Sequence, residues 1–113
     1  MKQREIYLIN LNPTKGREQR GVRPAVIISG DTMNKNLGLC MVCPISSKIK
    51  NYACCVELRK NKINNLDSDS EIITFQSRTV AKDRLIKKIG EITEEELSKI
   101  FEGLFKVLKY GFW

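Results

Sequence analysis

The stretch Asn12–Ser29 reads NPTKGREQRGVRPAVIIS, a polar segment that passes directly into an apolar one. Its first part, Asn12–Arg23, holds two glycines and a proline and is too long for a tight hairpin. That composition predicts a mobile loop, the kind of segment that often carries function. The second part, Pro24–Ser29, is an apolar run closed by Gly30-Asp31, the pattern of a buried strand. Upstream, Ile6–Leu11 (IYLINL) is rich in β-branched and aromatic residues and reads as another strand. A long polar loop between two strands therefore opens the fold.

Further along, Leu39–Ile45 (LCMVCPI) and Ala53–Leu58 (ACCVEL) have strand character. Lys60–Ser70 is polar and rich in Asn and Asp, so it is a loop. Glu71–Val80 (EIITFQSRTV) reads as a long strand with a bend near Gln76-Ser77, and Ile86–Ile92 (IKKIGEI) as a short edge strand. Thr93 and Glu96 have capping-box spacing, which opens a helix. Leu97, Ile100, Phe101, Leu104, Phe105 and Leu108 follow at helical spacing and form one apolar stripe, expected to face the core. Gly111 is expected to end the helix. Five or six short strands with a terminal helix predict a mainly β fold, a small, strongly bent antiparallel barrel. Spacing alone leaves SH3-like and OB-like barrels both open.

A chain of 113 residues has room for one hydrophobic core, so residues 1–113 read as a single domain. It shows no N-terminal signal pattern and no apolar run near the ~20 residues of a membrane span, which predicts a cytoplasmic protein. The formal net charge of +7 favours a polyanionic partner: RNA, DNA or a strongly acidic protein. Cys40 and Cys43 have metal-knuckle spacing, but Cys54 and Cys55 are adjacent in an expected strand and would point to opposite faces. The four cysteines are therefore expected to be buried, reduced and without a metal. There is no histidine, which excludes His-based acid–base catalysis, a Ser-His-Asp triad and a histidine metal site.

Three segments, taken in order, resemble the MazF/PemK toxins. They are Asn12–Ser29, with its G-x-E-Q-x-G-x-R-P core; Val42–Lys48 (VCPISSK); and Phe75–Leu85 (FQSRTVAKDRL), which is similar to a Q-x-R-T-x-x-x-x-R-L pattern. The resemblance implies an SH3-like barrel with a C-terminal helix, the MazF/PemK/CcdB-type fold, and a homodimer. It implies an endoribonuclease of a type II toxin–antitoxin system that cuts single-stranded RNA without metal or cofactor. The products would be a 2′,3′-cyclic phosphate and a 5′-hydroxyl, and a MazE-like acidic antitoxin would block the RNA groove. By position in these motifs, Arg23 matches the family's catalytic arginine and Ser46 its hydroxyl residue, usually threonine. Glu18 matches the loop glutamate, with Gln19 beside it, while Arg78 matches a substrate-binding arginine in the segment that also holds Gln76. Ala81 stands where many members carry aspartate, and in the PemK branch an acidic group of this segment is proposed as the base; Asp83 keeps that face only if the strand stays regular.

The residue chemistry suits such a reaction. Guanidinium is planar and permanently cationic, so Arg23 can meet charge on a phosphoryl group, with Pro24 restraining its backbone. Ser46 can donate a further hydrogen bond, and Glu18 is an available base. Lys15, Arg17, Arg20, Lys48, Lys50 and Arg78 would line the RNA path, and Tyr52 or Phe75 would stack on bases. Without the resemblance, Arg23 is as readily a rim arginine, Ser46-Ser47 a polar turn and Glu18 a solvated side chain. Arg78 in an apolar strand is expected to face a groove, an interface or a carboxylate. Two other functions fit the pattern: a CcdB-like gyrase-binding toxin acting through Tyr110-Gly111-Phe112-Trp113, or a non-catalytic RNA-binding barrel.

Overall fold

A computed structural model describes residues 1–110. The expected end of the helix at Gly111 and most of the aromatic tail Tyr110-Gly111-Phe112-Trp113 lie outside the described residues. The apolar run after the first loop does form a strand, which starts two residues early. Strand β1 spans Glu5–Asn10 and strand β2 Val22–Ile27, paired antiparallel, so Arg23 sits opposite Ile9 in regular sheet rather than in the loop. The run AVII is unbroken because both faces of the sheet are covered here. Val26 and Ile28 enter one buried cluster, beneath the C-terminal helix, while Ala25 and Ile27 enter a second cluster on the other face.

Strand β3 (Leu39–Ser46) makes the sheet bend. One flank pairs with β2 through Ala25↔Pro44, Val26↔Cys43 and Ile27↔Val42. Its other flank changes partner along its length. From Leu39 to Val42 it pairs with β6 (Arg78–Ala81), and at Ile45 and Ser46 with β5 (Ser70–Ile72). The strand β4 (Val56–Leu58) adds to β5, and β7 (Leu85–Glu91) adds to β1, giving the order β4-β5-β3-β2-β1-β7. The result is a mainly antiparallel, barrel-like sheet with a C-terminal helix, not strictly closed.

The expected long strand Glu71–Val80 is two strands, separated by a 3-10 turn at Thr74–Gln76. The sequence places a bend near Gln76-Ser77 but not the break, because a change of partner between distant strands leaves no local mark in EIITFQSRTV. A second 3-10 turn, Lys82–Arg84, ends β6, so the strand does not run on regularly to Asp83. A short helix, α1 (Asp31–Asn36), went unpredicted because its residues lack an apolar period; buried Asn34 anchors it by donating to the Ser29 carbonyl at 2.9 Å.

Cys54 and Cys55 lie in a turn before β4, not in a strand. What separates the C-x-x-C pair is β3 itself: Cys40 and Cys43 project into the two different clusters. Burial pushes the Cys43 thiol up to about 12, so it stays protonated and behaves as a small apolar group.

Helix α2 (Glu94–Tyr110) begins on the anticipated capping box. The Thr93 N–H donates to Glu96 Oε1 at 2.8 Å, and the Glu96 N–H donates to Thr93 Oγ1 at 3.1 Å. Leu97 and Ile100 are buried against the sheet and Leu104 packs at the margin. The rest of the stripe does not face the core: Phe101, Phe105 and Leu108 are exposed, Leu108 at 84%. Phe101 and Phe105 lie to one side of the buried residues, and Leu108 lies more than a turn past Gly103, the last buried residue of the helix. Among the described residues no helix is long and apolar enough to cross a membrane.

Candidate functional site

The loop between β1 and β2 is tied to the body of the protein at its base and along one flank. Its base closes by a hydrogen bond from the Leu11 N–H to the Gly21 carbonyl at 3.0 Å, where Gly21 takes a φ of +78° that favours glycine. Arg84 donates from Nη1 to the carbonyls of Asn10 and Asn12, and Arg78 donates from Nη1 to the Leu11 carbonyl at 2.9 Å. At the far side, Gln76 Oε1 accepts the Gln19 N–H at 2.6 Å, and its Nε2 donates to the Arg17 carbonyl at 3.2 Å. The side chains of one stretch, Gln76–Arg84, thus hold both the base and the flank of the loop.

Held this way, the loop forms one wall of a cleft of about 620 Å³. Arg17, Glu18, Gln19 and Arg20 line it from the loop, Arg23 from β2 and Ser46 from the end of β3. Lys48, Lys50 and Tyr52 line it from the segment after β3, and Glu71, Ile73, Phe75 and Gln76 complete it. Five cationic side chains face two carboxylates, so the cleft favours an anion. Tyr52 and Phe75 meet edge to face with ring centroids 5.2 Å apart, an apolar surface beside the charges.

Most of the residues singled out in the sequence therefore converge. Arg23 donates from Nε to the Arg20 carbonyl at 2.8 Å, which steadies the guanidinium at the cleft edge. Ser46 is buried, and its Oγ accepts the Lys48 N–H at 3.1 Å, shaping the turn that presents Lys48 and Lys50.

Three residues lie outside the lining of this cleft. Lys15 does not line the cleft; its N–H donates to Glu18 Oε1 at 2.6 Å, so the Glu18 carboxylate folds back on its own loop. Arg78 lines a smaller adjoining pocket of about 190 Å³, and its bonded partner is a backbone carbonyl rather than a carboxylate. Asp83 is exposed beyond the end of β6, and neither it nor Ala81 lines the cleft.

Two residues were missed. Arg84 gave no signal beyond its place in a motif, since a loop-clamping arginine and a solvated one look alike in sequence. Glu71 is a carboxylate at 2% exposure inside the cleft, with Oε1 accepting the Lys50 N–H at 3.1 Å. Its sign in the sequence is weak: it follows Asp67 and Asp69, but it alone of the three adjoins the apolar residues of EIITF.

Comparison with known proteins places these features in a common setting. The family described as PemK-like, MazF-like toxin of type II toxin–antitoxin system matches residues 2–108. The chain is 36% identical over 102 residues to Endoribonuclease MazF of Staphylococcus saprophyticus, covering 88% of this chain and 84% of that one. Among solved structures it is similar to MazF from Deinococcus radiodurans, with a TM-score of 0.84 and 25% identity over 96% of each chain. A MazE–MazF structure from the same organism matches with a TM-score of 0.74 and 23% identity, over 96% of this chain and 95% of that one.

Proposed function

Because the chain belongs to the PemK-like, MazF-like toxins of type II toxin–antitoxin systems, we propose that it is an endoribonuclease acting on single-stranded RNA. The observation that carries this reading is the meeting of Arg23, Ser46 and four further cations in one cleft beside an aromatic pair. Cations along the walls hold the backbone phosphates without regard to sequence. Tyr52 and Phe75 offer ring surface to unstacked bases, which a duplex does not present.

The chemistry proposed is internal transesterification. The ribose 2′-oxygen attacks the adjacent phosphorus, the 5′-oxygen departs, and a 2′,3′-cyclic phosphate is left behind. No water enters the bond-breaking step and no metal is needed if the protein supplies the positive charge. Arg23 supplies it, donating to the phosphoryl oxygens as charge builds on them. Ser46 adds a neutral donor from the cleft floor. A carboxylate lining the cleft accepts the 2′-proton, with Glu18 the candidate that the motif supplies.

A cationic cleft suited to RNA also suits an acidic, disordered segment that orders on docking, so the antitoxin competes with RNA for this surface. We infer further that the protein works as a homodimer, supported by the exposed apolar flank of α2 at Phe101, Phe105 and Leu108. Incubation with mixed-sequence RNA in EDTA, followed by mapping of new ends, tests the reading. New 5′-hydroxyl and cyclic-phosphate ends are expected at a short sequence. RNA retention without new ends would make it a binding module, and activity restored only by a divalent ion would refute the metal-free route.

A further inference from the structure

We propose that Glu71 is the general base of the cleft, the group that takes the proton from the attacking 2′-hydroxyl. This rests on the ribonuclease reading above and goes beyond it, since nothing in the motifs points to residue 71.

Position is the first ground. Glu71 and Ser46 are directly paired across β5 and β3. Paired residues of an antiparallel ladder project to the same face with Cβ atoms about 4.5–5.5 Å apart. A phosphate held between the Ser46 hydroxyl and the Arg23 guanidinium therefore brings its neighbouring ribose within reach of the Glu71 carboxylate.

Electrostatics is the second. Glu71 is 2% exposed, and among the described residues no lysine or arginine forms an ion pair with it. A buried carboxylate without a cation is costly, and in a cleft that binds an anion its charge also opposes binding. Such a group weakens affinity and is explained by a part in the chemistry. Its hydrogen bonding fits. Oε1 is taken by the Lys50 N–H, and no buried side-chain oxygen among the described residues lacks a partner. The residue lines the cleft, and its second oxygen is the one left to receive the 2′-proton.

The alternatives are placed less well. The Glu18 carboxylate is turned to the Lys15 N–H on an exposed loop, and Asp83 is outside the cleft. In the step assigned here, the O2′–P bond forms as the 2′-proton passes to Glu71. The P–O5′ bond breaks, the 5′-oxygen takes a proton from solvent, and Glu71 returns its own to solvent. The balance is neutral, with no oxidant or co-reactant.

Glu71→Gln keeps the size and an oxygen acceptor for the Lys50 N–H while removing the base. Turnover should fall by about 10²–10⁴-fold, with RNA affinity unchanged or tighter. Glu71→Ala should regain part of its turnover in formate, and Glu71→Gln should not. Near-wild-type turnover of Glu71→Gln overturns the assignment, as does a loss confined to KM. Glu18→Gln losing turnover while Glu71→Gln keeps it also overturns it. Should Gln unfold the barrel in thermal melts, Glu71→Asp takes its place: reduced turnover at unchanged affinity supports the base, unchanged turnover refutes it. Wild-type protein that makes no 5′-hydroxyl ends defeats the ribonuclease reading itself, whereas an active wild type beside an active Glu71→Gln defeats this assignment alone.

Discussion

Gly103 lies buried in the middle of α2, where glycine costs a helix about 1 kcal/mol relative to alanine. Its place is explained by contact: a Cβ added there would stand 2.0 Å from the Cys54 carbonyl oxygen and 3.1 Å from Thr74 Cγ2. Ordinary carbon–oxygen contacts begin at about 3.3 Å, so helix and turn would have to part by roughly 1 Å. That carbonyl also accepts the Thr74 Oγ1 hydrogen bond at 2.8 Å, and Thr74 is fully buried. For Gly103→Ala, overpacking contributes about 1–3 kcal/mol and a strained buried hydrogen bond about 1 more, against about 1 regained in helix propensity. The net expectation is a loss of about 2 kcal/mol, a fall of roughly 1 M in the urea midpoint followed by far-UV circular dichroism. Because Thr74 begins the turn that carries Phe75 and Gln76 into the cleft, RNA affinity should fall as well. An unchanged or raised midpoint would refute the reasoning, since it would mean that the helix shifts without resistance and the glycine is incidental.

Arg23→Ala should lower turnover by on the order of 10²–10³-fold in single-turnover cleavage, because it removes charge stabilisation made in the transition state. Lys50→Ala should instead weaken binding and flatten its salt dependence; if both variants change only affinity, Arg23 is a phosphate clamp. Arg84→Ala removes the bonds to the Asn10 and Asn12 carbonyls, so limited trypsin digestion should cut faster at Arg17 and Arg20 while the thermal midpoint hardly moves. For Glu5, burial acts to raise its pKa, but the Lys88 ion pair at 2.9 Å and the Lys2 N–H together hold it below its ordinary 4.5. A depressed carboxylate stabilises the fold above the unfolded value and loses that contribution as pH falls below 4.5 through the folded value. Acid melts of Glu5→Gln should therefore be less pH-dependent than wild type across that window, and equal slopes would exclude the linkage.

Much of the architecture was legible because it depends on local or periodic signals. The strand after the first loop, the capping box of Thr93 and Glu96, and the bend near Gln76 are written in spacing and residue type. The motif segments also named most of the cleft, since Arg23, Ser46, Glu18 and Gln76 sit at fixed offsets within them. What the chain could not disclose was which partner each group meets. Whether β3 pairs with β5 or β6, and where it changes over, is a contact between residues far apart in sequence. That change of partner sets Glu71 opposite Ser46 and turns an ordinary-looking acidic residue into a buried one. The same holds for Arg78 and Arg84, whose bonds run to carbonyls more than sixty residues away, and for α2, whose apolar stripe is buried at Leu97 and Ile100 but exposed at Phe101, Phe105 and Leu108. Periodicity reports what a segment can bury. Only the assembled sheet decides what is there to bury it against.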